Sequence, residues 1–187
     1  MFELMPNRFR FTRDMYYRMA EAGILRETDR VELIRGEILQ MSPIGPSHSS
    51  VVQALILFFG RRLPDGIEFR VQDPIVLGDE SEPEPDIAVV RARPDGYRTS
   101  HPMPADVLLI VEVAGSSFDF DMNTKAELYA SAGLSEYWVL DVARLRAHVH
   151  REPREGRYQQ ITVHQPPDRL SILNVPGVVL PLDAVLR

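Results

Sequence analysis

Two acids stand inside stretches that otherwise read as buried strands. In Leu108-Leu-Ile-Val-Glu112-Val every residue but Glu112 is apolar, and strand alternation puts Ile110, Glu112 and Ala114 on one face, with Leu109, Val111 and Val113 on the other. Asp86 opens Pro85-Asp-Ile-Ala-Val-Val90, a run of small and β-branched residues. A carboxylate in such surroundings is costly unless it is paired, protonated or bound to a metal. Taken singly, Asp86 has the ordinary reading of a strand-end acid in water, and Glu112 that of an acid paired with an arginine. On neighbouring strands the two would form the oxygen donor pair that a hard divalent cation such as Mg²⁺ takes.

Lys125 is the third residue with a chemical claim. It is the only lysine in the chain; the other twenty cationic side chains are arginines. Its bland reading is a solvated helix lysine paired with Asp121 one turn earlier. A compact ammonium whose pKa moves on burial is not replaceable by a guanidinium. A lone lysine among arginines therefore points to a role near a phosphate or a water.

The elements that must position these residues follow from the apolar pattern. Thr12 is expected to cap a short helix ended by Gly23, and Val31–Ile34 and Glu37–Met41 read as strands around Arg35-Gly36. A helix is expected from about His48, capped by Ser47, to Arg62, apolar nearly all round between Ala54 and Phe59. Strands are predicted at 68–77, 85–91, 107–113 and 136–142, with a helix from Asp119 or Asp121 to Ala132. Two further strands, 145–151 and 158–164, read as an exposed hairpin around Glu155-Gly156, and the tail holds two short apolar pieces. Mixed order without regular βα alternation excludes a Rossmann sheet or a TIM barrel and predicts an α/β or α+β sandwich. At 187 residues a single domain is expected, with a core of about 12–142 and the hairpin and C-terminal strands in 143–187.

In this order the residues resemble the PD-(D/E)XK superfamily, with its restriction-endonuclease-like fold, and within it the Uma-two family of endonucleases. The matching segments are Glu32-Leu-Ile-Arg-Gly36-Glu37-Ile, Met41-Ser-Pro, His48, Pro85-Asp86-Ile, Glu112-Val, Asp121-x-x-x-Lys125-x-x-x-Tyr129 and Gly133-x-x-Glu136-Tyr-Trp138-Val-Leu-Asp141. The resemblance runs from about residue 12 to about residue 180. It implies an α/β core with a central mixed sheet flanked by helices and an added β-hairpin. It implies Mg²⁺-dependent (or Mn²⁺-dependent) phosphodiester hydrolysis, with Asp86 and Glu112 as metal ligands, Lys125 acting on the attacking water or phosphate, and Glu32 as an auxiliary acid at the metal. One position departs from the superfamily pattern: Ala114 stands two after Glu112, where the lysine usually sits, so that lysine is matched to Lys125 on the next helix. The alternative is a nucleic-acid-binding or assembly module on the same fold, without catalysis.

Other chemistries find little support. The chain has no cysteine, which excludes disulfides, thiolate metal sites and cysteine nucleophiles. Neither a nucleotide-binding glycine loop nor a G-x-S-x-G elbow occurs. No apolar run approaches the ~18–20 residues of a membrane span. The start lacks the marks of a signal peptide, so a cytoplasmic setting is expected. A net charge of −6 disfavours diffuse binding to nucleic acid. The basic segment Arg144, Arg146, Arg151, Arg154 and Arg157 is nonetheless a candidate DNA contact, with a solvated face or subunit contact as the alternative. His148-x-His150, among arginines, is expected to lie on that solvated hairpin. His48 reads as a polar cap or a site-rim residue and as a further candidate nucleic-acid contact, and Tyr129 and Trp138 as residues packing the helix on the sheet. The apolar girth of the 48–62 helix predicts burial of part of it against a second copy, in a homodimer or higher oligomer.

Overall fold

The computed structural model describes residues 8–26 and 28–187. The chain divides into two compact units, one of residues up to 41 together with 76–83, the other of 42–75 together with 84–187.

In the first unit, α1 (Arg13–Glu21) is capped by Thr12, whose side chain accepts a hydrogen bond from Met15 N–H. Strands β1 (Val31–Ile34) and β2 (Glu37–Gln40) form an antiparallel hairpin. Part of the acidic stretch folds inward here. Glu82 is buried, accepts Arg13 Nε at 2.5 Å and receives the Tyr17 hydroxyl.

The second unit begins with α2 (Pro46–Arg62), followed by β3 (Ile67–Val71), β4 (Ile87–Arg91) and β5 (Val107–Ala114). A helical segment then runs as α3 (Phe118–Phe120), a π-helical turn (Asp121–Lys125) and α4 (Ala126–Ser131). After it come β6 (Glu136–Asp141), β7 (Arg146–Arg154), β8 (Arg157–His164), β9 (Arg169–Ser171) and β10 (Val179–Pro181). Strands β3 to β8 lie in sequence order in one six-stranded sheet. Only β5 and β6 pair in parallel, because the helical segment between them returns the chain to the same end. This is the mixed sheet with flanking helices that the sequence predicts.

Two layers cover the sheet. On one face, Val51, Val52, Leu55 and Phe59 of α2 pack on Leu109, Val111 and Val113, and the C-terminal residues Leu170, Leu180, Leu182 and Leu186 complete that core. On the other face lies the helical segment with Tyr129 and Tyr137 in edge contact at 4.9 Å. Several expectations need correction. Gly45, not Ser47, caps α2, with Pro46 in its first turn. The hairpin around Glu155-Gly156 closes the main sheet, and Ala147, Val149, His150 and Tyr158 on it are buried. Trp138 packs into the α2 core, away from the helix that carries Lys125. Among the described residues no helix is long and apolar enough to cross a membrane.

Candidate active site

The register of the sheet sets the site. Ile87 pairs with Val111, so the next step outward places Asp86 opposite Glu112 on the same face. One step further across, Gln72 N–H donates to the Asp86 carbonyl at 3.2 Å. Each acid is also held by a backbone amide of the other strand segment. Val113 N–H donates to Asp86 Oδ2 at 2.8 Å, and Asp86 N–H approaches Glu112 Oε2 at 3.3 Å. Asp86 is 7% and Glu112 4% exposed, so neither is the water-exposed strand-end acid of the ordinary reading.

Lys125 is delivered to this pair by the helical segment. Asp121, Lys125 and Tyr129 recur every four residues and are all buried against the sheet. Lys125 is 4% exposed, and its Nζ lies 3.0 Å from Glu112 Oε1. The Tyr129 hydroxyl donates to the same oxygen at 2.9 Å. The solvated lysine is thereby corrected: the ammonium is a buried partner of the in-strand acid, and that partner is not an arginine. The π turn ends at Lys125 and brings Ala126 N–H to the Asp121 carbonyl, which also accepts the Tyr137 hydroxyl at 3.0 Å. Burial, and then the charges of Glu112 and Asp121, hold the Tyr137 phenol well above its ordinary pKa, so it stays a donor.

Asp86 Oδ1 faces two side chains from outside the strand pair. His48 Nε2 lies at 2.9 Å, and Gln72 Nε2 donates at 3.1 Å. His48 is thus not the cap of its helix but a residue at the rim of the site, in contact with Asp86. Gln72 was not foreseen; its positive φ of 49° at the strand end turns its amide to Asp86, and no periodicity signals that. Glu32 is buried on β1 of the first unit, whereas His48, Gln72, Asp86, Glu112 and Lys125 lie in the second.

Residues 13–183 match the Uma2 family, described as "Putative restriction endonuclease". The chain belongs to the Uma2 family. A solved structure shares the fold: a protein from Anabaena variabilis ATCC 29413, described as "a putative nuclease belonging to DUF820", superposes with a TM-score of 0.73 at 18% identity, covering 94% of this chain and 97% of that one. No curated protein matches. The nuclease-like fold and the family agree with the resemblance read from the residues.

The candidate basic surface is not uniform. Arg151 turns inward: its Nη2 lies 2.5 Å from Glu136 Oε1, a fully buried acid that also accepts Trp138 Nε1 and Leu173 N–H. It is a structural cation, which corrects its reading as a nucleic-acid contact. Arg144 pairs with Asp141 at 2.9 Å and lies over the Phe118 ring, with its head still exposed. Burial pushes Asp141 up, but its bonds to Arg144 and the Ala143 N–H prevail and hold it below the ordinary value. Arg146, Arg154 and Arg157 are exposed.

His150 also departs from expectation. It is 1% exposed, packed between Tyr137 and Tyr158, and burial pulls its pKa down to about 4. The imidazole is therefore neutral and not part of a solvated hairpin.

Proposed function

We propose that this Uma2 chain hydrolyses phosphodiester bonds in DNA with a divalent metal held by Asp86 and Glu112. One observation carries the reading: the only lysine of the chain is buried with its ammonium on Glu112, on the strand that pairs with the one Asp86 precedes. Among the described residues no group of three or more His, Asp or Glu side chains is arranged for a metal. Two carboxylates still suit Mg²⁺, which keeps several waters and takes one or two protein carboxylates. When bound, such an ion supplies Lewis-acid polarisation of the phosphate and a more acidic water.

The chain's own residues supply orientation and charge. Val113 N–H and Gln72 fix the Asp86 carboxylate, and Tyr129 fixes that of Glu112. Hydrolysis joins a water oxygen to phosphorus and releases one ester oxygen with a proton. Lys125 stabilises the negative charge that grows on the phosphate in that step. The exposed Arg144, Arg146, Arg154 and Arg157 are proposed to meet the phosphate backbone, with a salt-dependent affinity.

Ala114 favours the non-catalytic module, because it leaves the usual lysine position empty of charge. Incubation with supercoiled, linear and single-stranded DNA, with Mg²⁺, Mn²⁺ or chelator, separates the two. Metal-dependent cleavage lost in Asp86→Asn and Glu112→Gln is expected; binding without cleavage under all conditions would establish the module instead.

A further inference from the structure

One edge of the six-stranded sheet is open. Strand β8 pairs with β7 on one side, and among the described residues no strand takes its other side. The N–H and C=O groups along such an edge are a template for another strand, and sheets blunt it with charge, proline or a bulge. The opposite edge, β3, is blunted in this way: Glu68 and Arg70 lie on it, and Arg70 pairs with Asp73 at 2.7 Å. Strand β8 carries no charged residue, proline or glycine from Tyr158 to Val163. Ile161, Thr162 and Val163 are three β-branched residues in a row, which suits an extended pairing strand. Ile161 is 52% and Val163 54% exposed. Only the start of the strand is closed, where Gln159 Nε2 donates to the Arg157 carbonyl at 3.3 Å.

The pattern of the segment is self-complementary. A two-fold axis at Thr162 lays a second copy of β8 antiparallel to the first. Ile161 of each copy then stands opposite Val163 of the other, and Thr162 opposite Thr162. Both are cross-strand pairs that stabilise sheets, two apolar β-branched side chains in one case and two threonines in the other. The charges around the segment agree with this order. Exposed Glu155 and Arg157 stand at its start, and exposed Asp168 and Arg169 follow its end, so each end of one copy meets an acid and a base of the other. A contact of this kind closes at two copies and leaves neither edge open.

We propose that two copies of the chain join through β8 about a two-fold at Thr162. The joined sheet has twelve strands, six from each copy. A two-fold perpendicular to the sheet preserves its faces. Glu112, Val139, His148 and Val163 are successive cross-strand partners from β5 to β8 and so share one face. The Glu112 sites of the two copies therefore lie on the same side of the joined sheet. The joining itself is independent of the nuclease reading.

Sedimentation equilibrium of the full chain across micromolar concentrations tests it. A dimer is expected, and Ile161→Lys and Val163→Lys should each raise its dissociation constant by ~10-fold or more, because each sets a charge against an apolar side chain of the second copy. Both side chains are more than half exposed, so circular dichroism should remain that of the parent chain. Should a lysine variant fail to fold, a second pair decides. The chain has no cysteine, so Thr162→Cys introduces its only thiol. Directly opposed Cα atoms about 5 Å apart are within disulfide reach, whereas those of Gln160→Cys would lie about 14 Å apart. Mild oxidation should link Thr162→Cys into a covalent dimer at least ~10-fold faster than Gln160→Cys. A chain that stays monomeric, a dimer unmoved by both lysine variants, or linking at Gln160→Cys as fast as at Thr162→Cys would overturn the proposal.

Discussion

Lys125 separates catalysis from mere stability because its replacements by arginine and by alanine fail in different ways. Lys125→Arg keeps the charge, but a planar guanidinium does not fit a space shared with the Tyr129 hydroxyl and Glu112. Cleavage should fall by ~100-fold or more, the usual loss for one electrostatic stabiliser, and a wild-type rate would remove the lysine from the chemistry. Lys125→Ala should add a stability loss of about 3 kcal/mol in urea, since it leaves Glu112 buried without its cation. The surface-lysine reading would have made that change nearly silent. His150 gives an independent expectation. Its folded pKa of about 4 lies below the unfolded value of about 6.5. The unfolded chain therefore binds the extra proton as pH falls from about 6.5 towards about 4. Stability contributed by the neutral ring is complete above that window and falls within it by up to about 3 kcal/mol. Urea melts across this window should be flatter for His150→Phe than for the parent chain.

Among the elements, hairpin turns are the most open to improvement. Glu155 and Gly156 both have positive φ, 52° and 74°, and they join β7 to β8 in a two-residue loop of the mirror-image type that favours Asn-Gly. Glu155→Asn should raise stability by about 0.5 kcal/mol in thermal or urea unfolding, whereas an unchanged midpoint would show that the turn is already relaxed. The strands and helices around the site were legible as apolar runs bounded by turn residues, nearly continuous in 107–113 and in the 48–62 helix. Asp86 and Glu112 interrupt such faces, and Lys125 interrupts an arginine habit, so all three were legible too. What could not be read depends on direction. Gln72 reaches Asp86 through a backbone reversal that leaves no pattern. Arg151 looked solvated, and made His150 look solvated, although it bends back onto Glu136. The C-terminal pieces were too short to show a period, yet their Leu170, Leu180, Leu182 and Leu186 belong to the core on one sheet face.

For the molecule as a whole, a ligand that binds only the folded chain raises its melting temperature by mass action. Millimolar Mg²⁺ or Mn²⁺ should therefore shift the transition upward, and Glu112→Gln should abolish most of the shift; no shift in the parent chain would argue against a metal at this pair. The apolar α2 is largely absorbed by its own core, with Leu57 half exposed, so a second copy has little of this helix left to cover. Light scattering at micromolar concentration tests whether the oligomer expected from the sequence forms at all. The site has a further property in its connectivity. Glu112 meets Lys125 and Tyr129 across 13 and 17 positions of chain, and Asp86 across 26. The closing of the α2 core by Leu180 and Leu186 spans most of the sequence. Short loops cost less entropy to close, and local contacts form sooner. The acids and their lysine should therefore assemble early in refolding, before the C-terminal segment docks. In pulsed hydrogen exchange the amides of β4, β5 and α4 would then gain protection ahead of those in β9 and β10.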